Sequence, residues 1–125
     1  MKLYECMVCG NVLEVLKDSA IVPNCCSRSM SLIKPNTNEK GLVEKHVPVY
    51  IKDGDTVTIE VGEIVHPSTE EHHIEWIALE TKESLYRKKL NALDHPYAVF
   101  TLQSDDEEIV NIYAYCNIHG LWSIN

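Results

Sequence analysis

No stretch of this chain approaches the ~20 consecutive apolar residues that a membrane-spanning helix requires, and its opening residues, Met1 to Cys6, lack the apolar core of a secretion signal. Both gaps lead us to expect a cytoplasmic protein. Positive charge is scarce as well: 11 Lys and Arg stand against 19 Asp and Glu, a formal charge of −8. That balance disfavours nucleic acid and anionic membrane, since both reward a basic face. The cysteine count is five, an odd number that cannot close a complete disulfide framework. Helical periodicity is missing too. The only candidate, Leu85 to Leu93, reads as easily as an edge strand with a basic flank, Tyr86-Arg87-Lys88-Lys89.

What is present is a folded composition, 45% hydrophobic and 24% charged, which argues against disorder. At 125 residues the chain can form one small domain plus a metal-stapled appendage too short to build its own core. The appendage is read as residues 1–36 and the main domain as residues 37–125, with the polar stretch Pro35 to Gly41 as linker. The main domain consists of short β-type runs: Val47 to Ile51, Thr56 to Val61, His73 to Leu79, Tyr97 to Leu102, Ile109 to Cys116 and Leu121 to Ile124. Asp53-Gly54 is a hairpin signal, and Thr56 to Val61 alternates with period 2. Runs of this length and spacing predict a mostly β protein built on an antiparallel β-sandwich. The acidic run Asp105 to Glu108 reads as a solvated loop tip.

Two groups of residues carry chemistry. Cys6-Met7-Val8-Cys9-Gly10 is a knuckle in which Gly10 can take positive φ, and Cys25-Cys26 supplies a second pair, so four thiolates can meet at one tetrahedral ion. A plain structural zinc ribbon is the simplest account of such a set. The adjacency of Cys25 and Cys26 is unusual, because it must open one S–metal–S angle. Near the other end, Cys116-Asn117-Ile118-His119-Gly120 sets a thiolate and an imidazole three residues apart. Spacing alone leaves zinc, copper and iron open. His46, His66, His72 and His73 could serve the same ion as Cys116, whereas His95, before Pro96 in a turn, reads as a surface residue.

In combination these motifs resemble the desulfoferrodoxins, the two-iron superoxide reductases of anaerobes and microaerophiles. The resemblance spans essentially the whole chain: Cys-x2-Cys with an adjacent Cys-Cys pair, then Glu44-Lys45-His46-Val47-Pro48. His66-Pro67 follows, with His72 six residues on and then Ile74-Glu75-Trp76, and last comes Cys116-Asn-x-His119-Gly. It implies a desulforedoxin-like N-terminal metal-binding domain and an immunoglobulin-like antiparallel β-sandwich. It also implies two iron ions per chain. Cys6, Cys9, Cys25 and Cys26 would hold a distorted rubredoxin-like iron, centre I; His46, His66, His72, His119 and Cys116 would hold the catalytic iron, centre II. The six-residue offset selects His72, with His73 as the fallback. Two departures stand out: Ser27 follows the cysteine pair where relatives commonly have glycine, and Ser68-Thr69 follow His66-Pro67 where a methionine is often seen.

The implied activity is reduction of superoxide to hydrogen peroxide, a protection against oxidative stress. Iron suits it because iron cycles between ferrous and ferric, which zinc cannot. Four imidazoles and one thiolate leave a sixth position open, and the thiolate of Cys116 opposite that position would push electron density through the metal. Glu44 and Lys45 fall on a segment that the family places as a mobile flap over the opening, Lys45 to attract the anion and Glu44 to bind the metal after product release. A small donor protein such as rubredoxin and a homodimeric assembly are further expectations. The competing readings are a zinc-binding interaction module and a blue-copper electron carrier. The latter wants a weak axial methionine after the Cys-x2-His, and Met1, Met7 and Met30 all lie far upstream.

Overall fold

Short runs bounded by turn residues give short strands, and the computed structural model, which describes residues 1–125, contains twelve of them with a single helical turn. They fall into two compact units, Met1–Lys34 and Pro35–Asn125.

In the first unit β1 (Leu3–Glu5) pairs antiparallel with β2 (Val12–Glu14), and β3 (Asn24–Cys25) forms a hairpin with β4 (Arg28–Ser29). β5 (Ser31–Leu32) adds to the other edge of β1. The buried centre is small, formed by Tyr4, Cys6 and Met30 with Val15 and Cys25 against it. So few apolar contacts leave a 34-residue unit in need of a staple, and cysteine ligation is the usual one.

The second unit opens with Asn36, whose N–H donates to Leu121 O (2.9 Å) while Ser123 N–H donates back to Asn36 O (3.0 Å). Pro35 and Asn36 therefore belong with the second unit, and the break falls two residues before the boundary drawn from the proline and polar run. A helical turn, α1 (Val43–His46), leads into β6 (Pro48–Asp53), and β7 (Thr56–Val61) returns from it through the Asp53-Gly54 turn. Four residues are too few to register as a helical period, so no residue pattern marks α1. Next come β8 (Ile74–Thr81), β9 (Leu85–Lys89), β10 (Tyr97–Thr101), β11 (Ile109–Cys116) and β12 (Gly120–Ser123). The strand order is β10-β7-β6 in one sheet and β12-β11-β8-β9 in the other, each antiparallel throughout. The two sheets form an immunoglobulin-like sandwich, and the ambiguous Leu85 stretch is its edge strand β9.

Period-2 alternation has its expected consequence in β7, where Val57, Ile59 and Val61 turn inward and are essentially inaccessible. Ile77 and Leu79 of β8 and Ile112, Ala114 and Cys116 of β11 meet them from the facing sheet. Burying a Val, Leu or Ile fully contributes about 1.5–3 kcal/mol relative to exposure, so this stripe fixes the register of both sheets. It also makes one end of the sandwich rigid: the end of β7, the starts of β6 and β8, and the β11–β12 turn.

Candidate metal centres

In the first unit the knuckle folds as glycine allows. Gly10 has φ +82°, its N–H donates to Cys6 O (2.9 Å), and Cys9 N–H points at Cys6 Sγ (3.5 Å). The second pair is placed by a two-residue hairpin turn. Cys26 and Ser27 sit between the paired residues Cys25 and Arg28 with φ +52° and +60°, the twin positive angles of a type I′ turn. This turn is how adjacent cysteines can share a site: Cys25 ends a strand and Cys26 begins the turn, so the chain reverses between the two side chains.

The four Sγ atoms all lie within 4.8 Å of one another, with Cys9–Cys25 at 3.6 Å and Cys25–Cys26 at 4.0 Å. Four sulfurs around an ion at about 2.3 Å would be about 3.8 Å apart, and a disulfide would be near 2 Å. All four are free thiols. Their acidities diverge as crowding demands. Backbone N–H groups of Cys9 and Val8 pull Cys6 down to about 6, while the neighbouring thiols Cys9, Cys6 and Cys25 push Cys26 up to about 12. Cys25 is raised by Cys9 and Cys6. One thiolate is favoured here and further ones are opposed, unless a cation joins them.

The second cluster gathers at the rigid end of the sandwich. His46 closes α1, His66 follows the end of β7, His72 precedes β8, Cys116 ends β11 and His119 lies in the turn to β12. A register irregularity between Tyr115 and Cys116 sets Cys116 opposite Ile74 rather than Glu75, re-aiming the thiol as bulges do. Neighbouring imidazole centroids are 4.6–5.1 Å apart around the circuit His46, His66, His72, His119, with planes crossed at 67–88°. The diagonal His46–His72 is 6.1 Å. Four rings thus stand edge-on around one point.

The hydrogen bonds show what that point can accept. His46 Nδ1 lies 2.8 Å from Leu42 O, and His66 Nδ1 lies 2.8 Å from Pro67 O. A carbonyl can only accept, so both rings carry their proton on Nδ1 and present a bare Nε2. Those two bare nitrogens are 3.2 Å apart, and His119 Nδ1 is 3.0 Å from His46 Nε2. Lone pairs facing each other repel unless a Lewis acid sits between them, and nitrogens at right angles around an ion at 2.0–2.1 Å would be about 2.9 Å apart. His72 Nε2 is buried and has no hydrogen-bond partner, a costly state that a metal would relieve. The donor set therefore suits a metal ion, with three Nε2 atoms, one Nδ1 and a thiol. His73 turns away, its Nδ1 donating to Thr69 O (2.9 Å).

Burial tunes the same groups. His46 and His66 are 1% exposed and Cys116 is 0%. Desolvation lowers His46 and His72 and takes His66 down to about 4, so burial favours the neutral form of all three imidazoles. Burial raises Cys116, and the N–H groups of His119 (3.4 Å from Sγ) and Ile118 work against that by stabilising the thiolate.

Three supporting residues have roles that the sequence reading did not assign. Trp122, fully buried, stacks on the His46 ring (4.8 Å, 28°) and donates its indole N–H to His119 O (3.1 Å). Asn117 joins the two ligand-bearing loops: its Oδ1 accepts from His73 N–H (2.9 Å), its Nδ2 donates to Glu71 O (2.9 Å), and its own N–H donates to His73 O (3.1 Å). Gly62, at φ +88°, passes directly beneath Glu44 and Lys45, where an added Cβ would lie 2.8 Å from Glu44 O. A glycine closing an alternating strand was the one visible hint for Gly62; Asn117 was in view within the Cys-x2-His motif but without a role.

Glu44 and Lys45 lie on the exposed side of α1. The segment is tied down, with Ile64 N–H donating to Glu44 O (3.0 Å) and Gly62 N–H to Val47 O (3.2 Å). The Lys45 ammonium is near enough to lower His72. His95 is a surface residue, 2.8 Å from Glu60.

The family model described as desulfoferrodoxin matches residues 38–125. A desulfoferrodoxin homolog of Archaeoglobus fulgidus is 44% identical over 122 residues, 98% of this chain and 94% of that protein. A superoxide reductase of Thermococcus kodakarensis is 40% identical over 95 residues, 63% of this chain and 83% of that one. Among solved structures, the superoxide reductase from Treponema pallidum superposes with a TM-score of 0.78 at 27% identity, covering 98% of this chain and 97% of that one.

Proposed function

The chain belongs to the desulfoferrodoxin family, and on that premise we propose that it is a superoxide reductase, taking one electron and two protons to convert superoxide to hydrogen peroxide without releasing dioxygen. The observation that carries the reading is the pair of bare nitrogens His46 Nε2 and His66 Nε2 at 3.2 Å, beside the partnerless His72 Nε2. An iron ion bound there would cycle between ferrous and ferric and so supply the electron.

Each ligand has a stated part. His46, His66, His72 and His119 would hold the catalytic iron as neutral imidazoles. The carbonyls of Leu42 and Pro67 fix the tautomer and tilt of the first two rings. Cys116 would be its thiolate ligand, and the N–H groups of His119 and Ile118 share its negative charge. Lys45 would draw the superoxide anion to the opening, and Glu44 would take up the position that the product vacates. Cys6, Cys9, Cys25 and Cys26 would hold the second iron in a desulforedoxin-like domain. A small electron-transfer protein such as rubredoxin is the expected donor, a homodimer the expected assembly and the cytoplasm the expected location. No helix is long and apolar enough to cross a membrane.

Metal analysis joined to product analysis tests this reading. Iron in both centres, with hydrogen peroxide formed from superoxide and no dioxygen, is the expected result. A colourless zinc protein that stays inert toward superoxide after reconstitution with iron would overturn it.

A further inference from the structure

Lys45 is the proposed guide for superoxide, but the electron that replaces the one consumed has to come from another molecule and needs its own way in. On a chain of charge −8 one run departs from the general sign: Arg87, Lys88 and Lys89 are consecutive and exposed, and they lie on the edge strand β9. Behind that edge lies an aromatic stack. The Arg87 guanidinium sits over the Trp76 ring at 5.0 Å, and Trp76 stacks on Tyr115 at 5.4 Å with planes only 12° apart. Trp76 is opposite both Tyr115 and Lys89 in register, so these side chains share one face of the sheet. Tyr115 is covalently next to Cys116. Trp76, Arg87, Lys89 and Leu90 also line a surface concavity of about 540 Å³ together with His73 and Glu75, the latter its one carboxylate.

We propose that the β9 face docks an acidic one-electron carrier protein, and that the stacked Trp76 and Tyr115 lead its electron to the Cys116 side of the centre. Arg87 and Lys89 point to this face while Lys88, one step between them, turns over the Tyr97 ring (5.0 Å). Charge complementarity names the occupant: a nucleic acid or anionic membrane would meet two cations here and a strongly acidic chain everywhere else, whereas an acidic protein of matched size can present its charge to this face alone. Conjugated rings in contact carry an electron better than the aliphatic packing around them. The step is a single electron transfer: the carrier is oxidised by one electron for each superoxide reduced, and no bond forms or breaks. The proposal rests on the reductase reading above.

The test uses full-length protein and an acidic rubredoxin as probe. Isotope-labelled rubredoxin is titrated with the zinc-loaded protein, which binds without turning over. We expect amide shifts that weaken as salt rises, and affinity reduced about ten-fold or more by Arg87→Glu with Lys89→Glu. Trp76→Leu slows reduction of the iron-loaded protein by reduced rubredoxin even at saturating rubredoxin, where any change in affinity no longer limits the rate. Affinity and salt dependence unchanged in the charge-reversed protein would overturn the docking face, as would sedimentation showing that the reversal breaks a self-association. Normal rubredoxin-driven reduction in Trp76→Leu would overturn the route. The reaction of pre-reduced protein with superoxide separates the two ideas: its absence in the unsubstituted protein sinks the reductase reading, and its presence with unaltered docking sinks only this proposal.

Discussion

Acid should weaken the metal-free fold through His66 in particular. The residue is 1% exposed, and burial takes its pKa from 6.5 to about 4. Between those two values the unfolded chain binds a proton that the folded chain refuses, so stability rises with pH across the window and is lost as pH falls through it. From about pH 7 to about pH 4.5 this one imidazole contributes about 2 kcal/mol of lost stability. With a urea slope of about 1–3 kcal/mol per molar, the midpoint should drop by about 1–2 M. His46 and His72 are lowered by burial too and push the same way. Carboxylates titrate in the same range, so the comparison is with His66→Leu, which keeps an apolar side chain and cannot protonate. Urea unfolding of both metal-free proteins at the two pH values isolates the term. If the midpoints of the two proteins fall by the same amount, His66 is not held neutral by burial and the argument fails.

Lys45→Ala should slow the bimolecular reaction with superoxide by on the order of ten-fold and flatten its salt dependence, since two unit charges about 6 Å apart attract by about 0.7 kcal/mol in bulk water and about 3 kcal/mol at an effective dielectric of 20, and an exposed residue lies between these limits; pulse radiolysis at two ionic strengths would show otherwise if rates and slopes matched. Gly62→Ala should cost about 2–4 kcal/mol, from positive φ and from contact with the backbone of Ile64, Glu44 and Lys45, and an unchanged melting temperature would contradict this. Asn117→Ala should cost about 0.5–1.5 kcal/mol by removing its exposed hydrogen bonds to His73 N–H and Glu71 O. It should also speed metal loss to a chelator, while Asn117→Asp, which keeps the acceptor, loses less; equal release rates in all three proteins would remove Asn117 from the positioning of His72. Ser27→Gly should stabilise the first unit by about 1 kcal/mol, because φ is +60° there, and calorimetry showing no gain would mean that the turn is unstrained.

Much of this was legible from the chain, for identifiable physical reasons. The alternation from Thr56 to Val61 and the apolar run from Ile109 to Cys116 named β7 and β11 to the residue, because a two-residue period has only one way to bury a face. α1 was invisible, since a single turn has no period and its stability comes from the bonds Gly62 and Ile64 make with it rather than from its own composition. Leu85 to Lys89 was ambiguous because an edge strand needs only one covered face. At the metal centre, spacing presented the histidines but could not say which nitrogen of each faces the ion. That depends on carbonyls such as Leu42 O and Pro67 O, which every residue possesses and no sequence pattern marks. His72 and His73 differ by one step along an irregular turn, and what tells them apart is the hydrogen bond of His73 to Thr69 O and the buried, partnerless Nε2 of His72.

The indole of Trp122 offers something beyond packing. It lies face to face with His46 at 4.8 Å, in a fully buried setting, so its fluorescence originates within contact of one of the proposed ligands. A redox-active ion with low-lying electronic states would quench that emission, and zinc, with a filled shell, would leave it bright. The other tryptophan, Trp76, is partly exposed on the far face of the sheet and should emit at longer wavelength, which would separate the two signals. The chain thus carries an internal optical gauge of which metal it has taken up, readable without labels in dilute solution.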